Sequence, residues 1–253
     1  MKSVDTQICL PPGLLSGQTV REILHLAFDD FRWFTPARYG MAFLDQIVLP
    51  GEVGRNDVMG FYRERRGVIV AALTDRDFIS IFPDKGSPYP YIGKIHWYTV
   101  ATSARKAEWR EAHARQVKQL MLLLKSPIAS AALDMDFEAK TRRWVPREIG
   151  SEQIITVRDY SEGLAGLYWR NFFGPPFVEL FGDRLNALPQ DCVRDLGDGI
   201  VLVEPYALPS DAETDAGRAR EQELIAQLGS DCFYDHVHHV MPARRPKVPP
   251  PPG

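Results

Sequence analysis

The chain is poor in the features that most directly announce a chemistry. Its three cysteines, Cys9, Cys192 and Cys232, are far apart, and none sits in a CxxC pair. That excludes a disulfide framework and a thiolate zinc site by spacing, and fits reduced thiols. No apolar run approaches the ~18 residues needed to cross a bilayer as a helix. The first residues, MKSVDTQICLPPGLLSGQ, carry one lysine, an acid and a Pro-Pro break, so they make a poor signal peptide and the expected location is the cytoplasm. There is no GxGxxG, no GxxxxGK[ST] and no GxSxG, which leaves nucleotide binding and a serine nucleophile elbow without motif support. Net charge is only −3, too small to mark the whole chain as a nucleic-acid binder.

What is present is an ordinary globular composition, 45% hydrophobic and 25% charged over 253 residues, enough for one large domain or two small ones. The charge is unevenly spread. Residues 151–235 hold 6 Lys+Arg against 16 Asp+Glu, a local net charge of −10. Such a stretch repels nucleic acid and attracts a basic surface.

Periodicity predicts an α+β fold: mostly antiparallel sheet, a long amphipathic helix over about 104–125, and two C-terminal helices packed on the sheet. GVIVAALTDRDFISIFPD reads as a hairpin around the polar loop TDRD, and GKIHWYTVATS as a strand with Ile95, Trp97 and Thr99 on one face. Residues 22–34 read as a strand, or a short helix breaking into one. The long helix has Ser103 as its candidate N-cap and a stripe of Trp109, Ala112, Gln116, Leu120 and Leu124, widened by Val117, Met121 and Leu123. SPIASAALDMDFEAKTRRWVP reads as a turn and strands. EQIITVRDY reads as a short strand. A helix starting near Pro176 buries Phe177, Leu180, Phe181, Leu185 and Leu188, and another, capped by Ser210 or Asp211, buries Leu224, Ile225 and Leu228. Residues 1–235 form one α+β domain, with a possible subdivision near Gly150. The basic, proline-rich tail 236–253 is expected to be extended and disordered.

Few chemical constellations stand out. On a strand, Asp134, Asp136 and Glu138 would share a face and could hold a divalent cation, as in a metal-dependent hydrolase. A solvated face is the simpler account. In DHVHH, His236 and His238 would alternate on one strand face with Asp235 or Cys232 near, but the pattern fits no metal motif, so no metal and no cofactor are assigned. Acids around Cys192 would raise its pKa and blunt it as a nucleophile. Arg105, Lys106, Arg110, Arg115, Lys118 and Lys125 make one helix face basic, though Glu108 and Glu111 interrupt it and a solvated face explains it.

The stretch GLYWRNFFGPPFVELFGDRLNALP, then LGDGIVLVEPYALPSD and an acidic helix, resembles the C-terminal half of bacterial immunity proteins that guard against polymorphic or type VI secreted toxins. The shared order is an aromatic-Gly corner, an apolar helix, a Gly-rich turn into a strand, and a final helix, over residues 95–235. The resemblance implies a non-enzymatic cytoplasmic protein that binds a cognate toxin, encoded by a neighbouring gene, and occludes its active site. No membrane or nucleic-acid partner is implied, and the sequence sets no oligomeric state. Trp169, Phe172, Phe173, Gly174, Pro175 and Phe177 would then be a structural corner, with Gly174 supplying a turn that a side chain would obstruct. The acidic stretch would supply the toxin-binding candidates Asp195, Asp198, Glu204, Asp211, Glu213 and Asp215. An aromatic-lined groove for a small molecule is the alternative use of the same region.

Overall fold

The N-terminal stretch, whose Pro-Pro break already argued against a signal peptide, holds a strand. β1 (Ser3–Cys9) turns Val4, Thr6 and Ile8 into the core, with Asp5 and Gln7 on the opposite face. The polar alternates and the following Pro11-Pro12 hide this period in the sequence. The computed structural model describes residues 2–74 and 76–250. It forms two compact units, Met1–Ser126 and Pro127–Pro249, so the division falls at Ser126 rather than near Gly150.

In the first unit β1 is followed by α1 (Gly17–His25), whose N-cap Ser16 accepts the Thr19 N–H at 3.0 Å. A π turn over Leu26–Asp30 extends it, so residues 22–30 are helical and 31–34 irregular, with no strand there. Then come β2 (Arg38–Gly40), β3 (Gln46–Ile47), α2 (Gly51–Arg65), β4 (Val68–Ala71), β5 (Phe78–Phe82), β6 (Lys94–Val100) and α3 (Ala107–Leu124). The β4–β5 hairpin stands where alternation placed it, although Asp75 of its TDRD loop lies outside the described residues. The strands run β1-β6-β5-β4-β2-β3, every ladder antiparallel.

Helices cover one face of this sheet. Trp97 of β6 stacks on Trp33 at 3.8 Å between centroids and 5° between planes, and also meets the His113 ring at 5.2 Å and the Trp109 ring at 5.9 Å. His113, fully buried on α3, shares a 2.9 Å hydrogen bond with the Thr6 hydroxyl, and the Trp33 indole donates to Gln116 Oε1 at 2.9 Å. The buried stripe of α3 is His113, Ala114, Val117, Leu120, Met121 and Leu124; Val117, Leu120, Met121 and Leu124 are as expected, while Trp109, Ala112, Gln116 and Leu123 are only half-buried. Ser103 does not cap it. A 3₁₀ turn over Ala101–Arg105 intervenes, and Lys106 takes the N-cap without a side-chain bond.

The second unit begins with β7 (Ile128–Leu133) and α4 (Asp134–Thr141), then a separate hairpin of β8 (Arg142–Pro146) and β9 (Ser151–Ile155). β10 (Arg170–Phe173), α5 (Pro175–Phe181), α6 (Asp183–Asn186), β11 (Val193–Asp195), β12 (Val201–Val203) and α7 (Asp215–Leu228) follow. Its main strands run β11-β12-β10-β7, again antiparallel. Phe177, Phe181, Leu185 and Leu188 are buried as the stripe requires, but Leu180 is only half-buried, and Gly182, at φ +53°, breaks the expected helix into α5 and α6. Thr214, not Ser210 or Asp211, caps α7, accepting the Gly217 N–H at 3.0 Å. The molecule is therefore α+β with antiparallel strands. Among the described residues no helix is long and apolar enough to cross a membrane.

The C-terminal stretch makes specific contacts. Asp235 and Val240 form an antiparallel bridge, Pro242 and Pro246 are buried, and Arg244 donates to the carbonyl of Leu180 at 2.6 Å. Residues 251–253 of the expected tail lie outside the described residues.

α2 carries no clear sequence signal, because glycines at positions 51, 54 and 60 dilute its helix propensity. Two of them make a matched test. A Cβ on Gly54 would sit 1.9 Å from the Leu49 carbonyl oxygen, whereas one on Gly60 meets nothing within 4 Å. Urea unfolding should show Gly60→Ala stabilising the protein by about 0.5–1 kcal/mol and Gly54→Ala destabilising it by roughly 2 kcal/mol or more, as an overpacked buried site does.

Candidate functional site

The corner is built into the second unit from β10 outward. Trp169, Phe172, Phe173 and Phe177 are all fully buried. The Trp169 indole donates to the Ala207 carbonyl at 3.2 Å, and the Arg170 guanidinium lies 4.4 Å over its ring. Phe173 meets Phe181 edge-on at 5.0 Å and Phe177 at 5.8 Å. Asn171 bridges the Tyr168 backbone with both ends of its amide, accepting at 2.9 Å and donating at 2.8 Å, and also donates to the Val203 carbonyl. Gly174 does not supply the expected special turn. Its φ of −81° is open to any residue, and it acts as the N-cap of α5, donating its N–H to Pro127 and receiving those of Phe177 and Val178. Pro175 takes the first helical position, where a missing N–H costs nothing. The corner is a packing device whose indole, guanidinium and amide groups are all engaged.

The six acidic candidates divide by what they already hold. Glu204 accepts from the buried Arg170 at 2.8 Å, with Arg194 at 3.8 Å, so it neutralises a core guanidinium. Asp211 accepts the Leu208 N–H at 3.0 Å and closes a 3₁₀ turn over Pro209–Glu213. These two are structural. Asp195 and Asp198 are exposed in the β11–β12 turn, where Asp195 accepts the Gly197 N–H at 2.7 Å. Glu213 and Asp215 are exposed at the start of α7, Asp215 beside Arg218 at 2.6 Å.

A second site emerges only in three dimensions. The Lys140 ammonium, mostly buried, contacts Asp136 and Glu221 at 2.8 Å each, donates to the Leu167 carbonyl, and lies 5.0 Å over the Tyr168 ring. Glu221 also takes the Leu167 N–H at 3.2 Å. Burial raises the carboxyl pKa of both Asp136 and Glu221, with Lys140 opposing. Tyr206 lies close by. Burial, chiefly, and then the neighbouring Asp136 and Glu221 raise its phenol strongly. The Tyr206 hydroxyl and Asp136 Oδ2 are buried without a hydrogen-bond partner. Lys140 and Glu221 reach the floor of a groove of about 910 Å³, walled by Gly166, Ile225, Tyr234 and His236. The one signal in the sequence is Glu221, a charge on the apolar stripe of α7, with Gly217, Leu224, Ile225 and Leu228.

The remaining candidates sit differently from their sequence pattern. Asp134, Asp136 and Glu138 lie on the helix α4, not on one strand face, because Leu133 ends the strand and an acid-rich first turn suits a helix start. His236 and His238 lie in a turn rather than a strand. His236 Nε2 is 2.6 Å from the Ala165 carbonyl, and His238 Nδ1 2.7 Å from Asp235. The His238 N–H, first among several donors, holds the Asp235 carboxyl down to about 2. Among the described residues no three of His, Cys, Asp and Glu gather as a metal-holding group. The Cys192 thiol is raised, as expected, but mainly by burial, with Asp191 and Glu223 adding and Arg220 opposing.

No protein-family model matches the chain, and no curated protein matches it by sequence. By fold it is similar to the T6SS (type VI secretion system) protein PA0821 of Pseudomonas aeruginosa, with a TM-score of 0.56 at 13% identity, over 92% of this chain and 74% of that one. At that identity the likeness is one of fold.

The lysine cluster predicts a pH signature. Each raised carboxyl contributes stability below its unfolded pKa and loses it as pH rises through the folded value. Lys140→Met removes the cation that offsets this, so both carboxyls rise further. Urea unfolding at pH 7.5 should show a loss of about 3–5 kcal/mol, the usual cost of breaking a buried pair. At pH 4.5 the deficit should shrink, because both acids can then be neutral. An equal deficit at both pH values would mean the acids are not charged in the native protein.

Proposed function

We propose that this chain is an immunity protein: a non-catalytic cytoplasmic protein that binds one cognate secreted toxin and occludes its active site. The observation that carries this reading is the likeness in fold, over 92% of the chain, to a T6SS protein. The order of elements around the corner agrees with it: an aromatic strand, a Pro-started helix, a Gly-rich hairpin and a last acidic helix. Toxins that act on nucleic acids or nucleotides are basic where they work. An inhibitor with an acidic face associates quickly with such a surface and competes with phosphate.

The candidate docking surface rests on the acids that are exposed: Asp195 and Asp198 at the β11–β12 turn, and Glu213 and Asp215 at the start of α7. Glu204 and Asp211 are set aside because they hold the fold. The groove over Lys140 and Glu221 favours a second reading, a small-molecule-binding module. Ligand-dependent thermal shifts without any toxin interaction would support that one.

The test is co-expression with the product of the adjacent gene in a susceptible bacterium, scored by survival and co-purification. Wild type should rescue and co-purify. Lysine at Asp195, Asp198, Glu213 and Asp215 together should weaken toxin binding at least tenfold, with most of the loss in the association rate and a flatter salt dependence. Thermal stability should stay near wild type. Glu204→Ala should do the reverse, lowering stability by leaving Arg170 buried and poorly paired. Full protection by the quadruple variant would rule out the acidic surface as the docking site.

A further inference from the structure

The charges that line the groove of the second unit are not balanced. Five of its lining residues are charged: Lys140, Arg218, Glu221, Asp231 and Asp235. Four of them already face an opposite charge. Lys140 directs its three N–H groups at Asp136, Glu221 and the Leu167 carbonyl, which pairs Glu221 as well. Arg218 lies 2.6 Å from Asp215, and Asp231 lies 3.7 Å from both Arg184 and Arg244. Asp235 differs. Among the described residues no lysine or arginine stands within ion-pair distance of it. Its carboxylate accepts the backbone N–H groups of Val237 and His238 at 2.8 and 2.9 Å, and His238 Nδ1 at 2.7 Å. A carboxylate has about four acceptor positions, so one stays open. The same donors hold the Asp235 carboxyl down to about 2, so it is charged at any working pH.

The two histidines of the groove add acceptors. His236 Nε2 lies 2.6 Å from the Ala165 carbonyl oxygen, and His238 Nδ1 meets the Asp235 carboxylate. Both partners can only accept, so those nitrogens carry the protons. In the neutral rings His236 Nδ1 and His238 Nε2 are then lone-pair acceptors, and neither has a partner among the described residues. Much of the remaining wall is apolar. Ile225 is buried in it, while Val237, Val240 and Met241 are 80%, 56% and 38% exposed. Exposed apolar residues gathered round one groove mark a binding site. Its volume of about 910 Å³ is in the range of small-molecule sites.

We propose that this groove binds an organic cation, an alkylammonium or alkylguanidinium group, with its charge at Asp235 and its stem along Ile225, Val237 and Val240. Each half of such a group finds its complement. The N–H groups donate to the open position on Asp235 and to the imidazole lone pairs. The hydrocarbon stem covers the apolar wall, as the stems of long cationic side chains do. An anion would meet an uncompensated carboxylate, and both cations of the groove already face carboxylates. The wider field agrees: residues 127–249 hold 13 Lys+Arg against 20 Asp+Glu, a net charge of −7. The site extends the small-molecule reading of the groove and stands whether or not the chain neutralises a toxin.

NMR titration of the full chain tests it with three probes that share one stem: pentylammonium, pentanol and pentanoate. Pentylammonium should shift the signals of Ile225, Val237 and Val240 and saturate with a dissociation constant on the order of 1–10 mM, as so few heavy atoms allow. Pentanol and pentanoate should bind at least tenfold more weakly. Asp235→Asn should weaken pentylammonium at least fivefold. Val240 is exposed and bridges Asp235 through the backbone, so Val240→Lys sets a tethered ammonium beside the carboxylate and should weaken the probe as much. That second variant keeps the test valid if asparagine disturbs the turn. Pentanoate binding as tightly as pentylammonium overturns the proposal. So does the absence of saturable shifts in the groove, or an affinity that neither variant lowers. With the adjacent gene's product bound, loss of pentylammonium binding assigns the cation to a side chain of that partner, and undiminished binding assigns it to a free amine.

Discussion

One buried ammonium organises the second unit. Lys140 reaches Asp136 one turn back on its own helix, Glu221 on α7 and the carbonyl of Leu167. Removing a cation from water costs several kcal/mol, and only paired carboxylates with well-placed hydrogen bonds offset that. α4, α7 and residues 166–168 are therefore held around a single point. Even Gly166 obeys it: a Cβ there would come within 3.1 Å of a Glu221 oxygen. The position of α7 then sets where Glu213 and Asp215 are presented and forms one wall of the groove.

The first unit is held chiefly by aromatic packing. Its helices lie on one face of the sheet, where Trp33, Trp97 and His113 make a stacked column closed by hydrogen bonds to Gln116 and Thr6. Aromatic columns of this kind combine a large buried area with specific geometry.

Elements with strong periods are legible in the amino-acid order. β6 reads directly from Ile95, Trp97 and Thr99, the β4–β5 hairpin from two β-branched runs, and the C-terminal stripes from Phe177, Phe181, Leu224 and Leu228. α2 is not legible, because its glycines weaken helix propensity, and one of them is there to let the backbone of Leu49 come close. α4 reads as a strand because eight residues after a true strand carry too little period to separate the two. The site is less legible still. Six acids look equivalent in sequence, yet Glu204 answers a buried arginine 34 positions away and Asp211 closes a turn.

By itself, the sequence determined the α+β class, the antiparallel character, the greasy corner around Gly174 and the concentration of acid in residues 151–235. Those follow from local periodicity and composition, which each segment carries alone. Only the tertiary structure decided which charges are buried and which are exposed, that Gly174 caps rather than turns, and that Lys140 meets Asp136 and Glu221. These are outcomes of desolvation and packing, which belong to the folded environment of a residue rather than to the residue itself.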